Sequence, residues 1–128
     1  MRVLVDTHAL LWWWTGDPGL SERALNLLQD ESNQILVSAA SAWEIATKVR
    51  LGKLGIGQEA VERFDELVSL DGFTHLPVSH AHALRAGSLD TEHRDPFDRM
   101  LAAQSFIENA ALLTKDPAFK SLRISTTW

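Results

Sequence analysis

Cysteine is absent from the 128 residues, which excludes disulfides, thiolate metal centres and cysteine nucleophiles. Any metal must therefore sit on oxygen or imidazole, and a cytoplasmic address is favoured. No stretch approaches the roughly 18 consecutive apolar residues of a membrane span. Met1 to Leu11 interrupts its apolar run with Asp6 and His8, so neither a signal peptide nor membrane association is expected. Basic residues are the scarcer charge: 12 Lys and Arg face 17 Asp and Glu, for a net charge of -5. That balance argues against a protein that coats nucleic acid electrostatically, unless bound cations or a local basic patch reverse the field. Internal repeats and low-complexity tracts are also missing.

What remains is a globular composition, 45% hydrophobic and 23% charged, in a length that suits one domain spanning residues 1–128. Arg2 to Val5 reads as a buried strand and Thr7 to Trp14 as a helix, closed by the breaker Thr15-Gly16-Asp17-Pro18-Gly19. Ser21 caps an amphipathic helix to about Asp30, and Ile35 to Val37 is a second strand. A helix starting at Ser38 or Ser41 ends at Gly52, and Glu59 to Leu70 carries Val61, Phe64, Leu67 and Val68 at helical spacing. His75 to Val78 is a third strand, and Ser79 caps a brief helix to about Gly87. Asp95-Pro96 opens a further helix to about Glu108, Ala110 to Thr114 is a fourth strand, and Leu122 to Ile124 is an expected edge strand. Apolar strands alternating with helices predict an α/β fold, a three-layer sandwich with a mostly parallel sheet of four to five strands and helices on both faces.

In open parallel sheets, sites form beyond the carboxyl ends of the strands. Asp6 directly follows the first strand, Glu44 lies early in the helix after the second, and Asp116 closely follows the fourth. Asp98 stands in the first turn of the helix before strand four, an end the sequence alone does not assign to that rim. Each acid also has a structural role open to it. Asp95 before Pro96 is a good N-cap, Asp98 suits a capping-box-like pair, Ser41 and Glu44 form a Ser-x-x-Glu box, and Glu44 can pair with Lys48. Jointly, a carboxylate cluster is costly without protons or cations, and implies a hard cation such as Mg2+ or Mn2+. Two such ions about 3.5–4 Å apart can clamp an in-line phosphoryl displacement and lower the pKa of a bound water.

At these residues the chain resembles the PIN-domain ribonucleases, and among them the VapC-type toxins of toxin–antitoxin pairs. The resemblance rests on Leu4-Val5-Asp6-Thr7-His8-Ala9-Leu10-Leu11-Trp12, on Ser38-Ala39-Ala40-Ser41-Ala42-Trp43-Glu44-Ile45, on His93 to Gln104 with its His-Arg-Asp-Pro-Phe-Asp-Arg run, and on Leu113-Thr114-Lys115-Asp116. It implies a PIN-like fold, a magnesium- or manganese-dependent endoribonuclease acting on RNA, a cognate antitoxin and a homodimer. Carried over, Asp6, Glu44, Asp98 and Asp116 are the acids that hold the metal and the water it activates. Thr7 and Thr114 match hydroxyl positions beside the site, with helix capping or strand-end bonding as the other reading, and Asp95 matches a feature of this branch.

Arg94 and Arg99 flank the acids and could hold phosphates; for Arg99 a salt bridge to Asp95 is the alternative. Lys48, Arg50, Lys53 and Lys115 could also hold phosphates, but a solvated charged face is the preferred reading for each. The five histidines offer no i, i+4 pair for zinc, and His93 fits a loop-stabilising hydrogen bond better than a role at substrate. Trp12, Trp13 and Trp14 fan across about 200° of a helix, so one core face cannot bury them all; a partner surface and burial under the following loop both remain open. Two rivals stand beside the nuclease reading. One is another magnesium-dependent phosphoesterase, such as a haloacid-dehalogenase-type phosphatase, which expects a second aspartate where His8 stands. The other is a non-catalytic RNA-binding or protein-interaction domain whose acids only cap helices, a group that includes receiver domains, which need paired acids where Asp6-Thr7 stands.

Overall fold

Successive strands bury alternate side chains on opposite faces, and here both faces are covered. The computed structural model describes residues 1–55 and 57–128. Its elements run β1 (Arg2–Val5), α1 (Thr7–Thr15), α2 (Glu22–Gln29), β2 (Gln34–Ser38), α3 (Ala39–Arg50), α4 (Gly57–Glu62), α5 (Phe64–Leu70), β3 (Thr74–Leu76), α6 (His80–Ser88), α7 (Pro96–Ile107) and β4 (Ala111–Leu113). A 3-10 turn (Pro117–Leu122) and β5 (Thr126–Thr127) follow. The strands form one five-stranded sheet in the order β3-β2-β1-β4-β5, every pairing parallel. Val3, Val5, Ile35, Val37 and Leu113 pack one face against α1, α2 and α5 through Leu10, Ala24, Leu28 and Val68. Leu4, Leu36 and Leu112 turn to the other face and meet Leu101, Ala102, Phe119 and Leu122. This is the expected α/β three-layer sandwich, with the sheet wholly parallel.

The strand order carries the functional geometry. From β1 the chain steps to β2 and then β3 on one side, and later returns to place β4 and β5 on the other. The connections on either side of β1 therefore diverge, leaving a crevice between the carboxyl ends of β1 and β4. Asp6 and Thr114 stand at those two ends, and the Asp6 N–H donates to the Leu113 carbonyl at 3.1 Å across the gap.

Three expectations need correction. The helix expected over Glu59 to Leu70 is two helices, broken at Arg63, whose backbone (φ -115°, ψ 18°) leaves helical geometry. The apolar spacing survives the break, so periodicity alone does not show it. Leu122 to Ile124 is not a strand: Arg123 adopts φ 54°, a left-handed conformation that ends the 3-10 turn. The edge strand forms instead at Thr126–Thr127, beside β4. The Ser41–Glu44 capping box does not form, because the helix starts three residues earlier, with Ser38 as the N-cap accepting from the Ala40 N–H at 2.9 Å. Other caps match the sequence: Ser21 accepts from Ala24, and Ser79 forms a reciprocal box with His82. No described helix is long and apolar enough to cross a membrane.

Candidate functional site

Asp6 ends β1 and caps α1, its Oδ1 accepting from the Ala9 N–H at 3.0 Å. The side chain is buried, and burial pushes its carboxyl above the ordinary aspartate value against the opposing pull of the Thr114 hydroxyl and the Ala9 N–H. Thr114 donates to Asp6 Oδ2 and accepts from the Asp116 N–H at 3.1 Å, so one hydroxyl links the ends of β1 and β4 to the following loop. Asp116 is exposed and caps the 3-10 turn through the Ala118 N–H at 2.9 Å. These three residues form one hydrogen-bonded unit at the crevice.

Glu44 and Asp98 form a second group. Glu44 lies on α3, buried to 3% exposure, with the Lys48 ammonium at 2.5 Å one helical turn later. Its buried carboxylate is therefore held by a half-exposed cation. Asp98 stands in the first turn of α7. Its carboxyl is pushed up from 3.8 to about 6, chiefly by burial, then by the neighbouring charge of Asp95, with a smaller contribution from Glu44. His93 opposes that rise, its Nε2 lying 3.0 Å from Asp98 Oδ2. Trp43 in the first turns of α3 and Phe97 in the first turn of α7 meet edge to face with ring centroids 4.6 Å apart, so the starts of the two helices face each other. The rim of Asp98, open from sequence, is the one that Glu44 occupies.

The remaining expected residues divide. Asp95 is the N-cap of α7, its Oδ1 accepting from the N–H groups of Phe97 at 2.9 Å and Asp98 at 3.2 Å. Thr7 donates to Ser41 Oγ at 2.9 Å, tying α1 to α3 rather than orienting an acid. Arg94 is exposed and has no salt bridge among the described residues. Arg99 does not bridge to Asp95. Its guanidinium donates to the carbonyls of Ala86, Leu89 and His93 at 2.9, 2.7 and 2.8 Å, stitching the loop after α6 to α7. An arginine beside an acid in sequence gives no sign of such carbonyl partners.

Sequence reasoning also passed over Gln104, fully buried on α7, which accepts from Ser38 Oγ and donates to the Pro77 carbonyl at 3.3 Å. It fixes the start of α3, and thereby Glu44, against α7. A concavity beside Asp6 and Asp116, walled by Trp12 and Trp128, was likewise not foreseen. The three consecutive tryptophans separate as their helical fan requires: Trp13 and Trp14 both donate through Nε1 to Asp71 Oδ2, at 3.1 and 2.8 Å, while Trp12 turns to Trp128 with ring centroids 5.9 Å apart. A cavity of about 700 Å³ opens at the opposite ends of the strands, beside Arg2 and Arg123 and away from these acids.

Among the described residues, no three His, Asp or Glu side chains stand close enough together to enclose an ion. The donors are nonetheless all carboxylate oxygen, and Asp6 and Asp98 are both driven toward the neutral form by burial. A bound cation would reverse that drive. The donor chemistry therefore suits a hard divalent ion.

A wholly parallel sheet covered by helices on both faces defines the class of three-layer α/β domains. Within that class the PIN domain family model matches residues 3–124, and the chain belongs to the PIN domain family. It is 42% identical over 69 residues to Ribonuclease VapC16 of Mycobacterium tuberculosis, an alignment covering 51% of this chain and 49% of that protein. The match thus spans about half the length of the curated relative. Among solved structures, VapBC2 from Rickettsia felis, crystallised bound to a DNA fragment from its promoter, superposes with a TM-score of 0.70 at 20% identity, covering 98% of this chain and 96% of that one. VapBC-1 from nontypeable Haemophilus influenzae gives a TM-score of 0.69 at 18% identity, with 99% and 97% covered. At these identities the likeness is one of fold.

Proposed function

We propose that this chain is a metal-dependent endoribonuclease, the toxin of a toxin–antitoxin pair, in which Asp6, Glu44, Asp98 and Asp116 act together on an RNA phosphodiester. The observation that carries the reading is the buried Asp6 at the carboxyl end of β1, joined through the Thr114 hydroxyl to the loop of Asp116 where the PIN sheet switches direction. The similarity to a ribonuclease named VapC16 supports the substrate class, and the VapBC complexes among the structural neighbours support an antitoxin partner. Residues 1–128 serve in this reading as one PIN unit that acts as a homodimer.

A bound magnesium or manganese ion would supply a more acidic water and neutralise charge on the phosphate. The four acids would hold it. Thr114 keeps the Asp6 carboxylate oriented through its hydroxyl, and His93 does so for Asp98. In hydrolysis a bond forms between the water oxygen and phosphorus, the ester bond to the leaving oxygen breaks, and that oxygen takes up a proton. Arg94, exposed next to Asp95, would meet the RNA backbone; Lys48 is already paired with Glu44.

The test is to incubate the pure protein with a pool of structured RNAs in magnesium, in chelator, and as Asp6→Asn. Cleavage in magnesium alone, reduced at least a hundredfold in the other two arms, is the expected result, in keeping with the roughly 10²–10³ lost when one charge-stabilising group is removed. Cleavage that persists unchanged in chelator and in the variant would sink the proposal.

A further inference from the structure

We infer that the concavity between Trp12 and Trp128 is a nucleobase pocket, which takes the base of a nucleotide adjoining the phosphate held at the acids. The inference rests on the RNA-cleavage reading above and names a subsite of that same site.

The cavity holds about 300 Å³, at the small end of ligand pockets and suited to one flat ring system. Asp6 and Asp116 form part of its lining, so it is continuous with the crevice between β1 and β4. Its other walls are the indoles of Trp12 and Trp128, set edge to face at 62°, with Pro117 beside them. Trp12 is held from behind: a Cβ added at Gly19 would lie 3.1 Å from its Cζ3, so the ring cannot swing to that side. Two of the three consecutive tryptophans have their indole N–H groups bonded to Asp71; Trp12 is the one aimed at the cavity.

The charge around the cavity selects the occupant. Lys115 lies with its ammonium 5.7 Å from the centroid of Trp12, and His8 is exposed at the rim. A base stacked on Trp12 would take the place of the Lys115 ammonium over that ring and free it to pair with the base's own phosphate, while the next phosphate reaches Asp6 and Asp116. An aromatic platform followed by a cation is how single-stranded nucleic acid is held without sequence reading. A protein of net charge -5 thereby gains RNA contact from stacking rather than from a basic surface.

The test is binding, not cleavage. Oligouridylate and oligoadenylate are titrated into the protein with calcium in place of magnesium, and tryptophan emission and anisotropy are followed. Trp12→Ala should weaken binding roughly tenfold, the usual scale for removing a base-stacking aromatic, and Lys115→Gln by a few-fold. Replacing one nucleotide by an abasic residue, moved along the strand, should reproduce the tenfold loss at a single position in the wild type and add nothing in Trp12→Ala. Unchanged affinity in Trp12→Ala, or an abasic penalty that persists in full in that variant, overturns the pocket. If Trp12→Ala melts too early to measure, the wild type is photocrosslinked to RNA carrying 5-iodouridine. Adducts on the peptides bearing Trp12 or Trp128 support the pocket, and adducts found only elsewhere overturn it. Asp6→Asn, assayed for cleavage in parallel, separates the two ideas: continued cleavage refutes the acid-site reading, whatever the binding arms show.

Discussion

Thr114 uses its hydroxyl in two directions, donating to Asp6 and accepting from Asp116, so its removal should be felt at both acids. Thr114→Val keeps the volume and leaves Asp6 buried without that donor. A loss of about 2 kcal/mol is expected from the charge-assisted bond, visible as a lower urea midpoint, with Thr114→Ser recovering most of it. Asp98 gives a pH-dependent expectation. Its folded carboxyl titrates near 6 against 3.8 ordinarily, so between those values the folded protein holds a proton that the unfolded chain has released. Stability contributed by this group is therefore present below about pH 4, is lost as pH rises toward 6, and stays lost above. Asp98→Asn removes the titration. In the absence of metal, the melting difference between variant and wild type should move in favour of the variant by about 1 kcal/mol from pH 4 to pH 7.5, after allowance for solvent screening at a partly exposed group. A difference that is flat with pH would refute the raised carboxyl.

Helix α7 shows how the caps and loop contacts of an element position the acid it carries. Asp95 satisfies two of its free N–H groups, and Pro96 occupies the first helical position, where no donor is needed. Asp95→Ala should cost about 1 kcal/mol in thermal stability, while Asp95→Asn, which can still accept those bonds, should cost much less. Farther along the helix, Arg99 binds the carbonyls of the preceding loop in a fork that lysine cannot copy. Arg99→Lys should therefore raise amide exchange across residues 87–93 far more than in the sheet, and a uniform change would count against this role. The loop holds His93, so cleavage should fall with it.

At the scale of the whole molecule, the proposed cation would bind a protein that is already acidic, with a net charge of -5. Cation binding should couple strongly to folding for that reason. With a divalent ion at a hundred times its dissociation constant, stabilisation of about 2.7 kcal/mol is expected, read as a rise in melting temperature that chelator reverses. In the variant carrying both Asp6→Asn and Asp98→Asn, that rise should disappear. Persistence of the full shift in the double variant would place the ion elsewhere.

Much of this was determined by sequence alone. Alternating apolar runs specified a parallel α/β sandwich, and helix starts at Ser21, Ser79 and Asp95 were legible because an N-cap is a local bond between near neighbours in the chain. The positions of Asp6 and Asp116 at strand ends were legible for the same reason. What only the tertiary structure decided involves groups far apart in the chain. The Thr114 bond to Asp6 spans 108 residues, Asp98 lies near Glu44 of another helix, and Trp12 meets Trp128, a residue far from it in sequence. Arg99 was misread because its partners are backbone carbonyls, which every residue has and no sequence pattern marks. The Arg63 break and the left-handed Arg123 were hidden for a related reason: side-chain periodicity reports which face is buried, not whether the backbone beneath it is continuous.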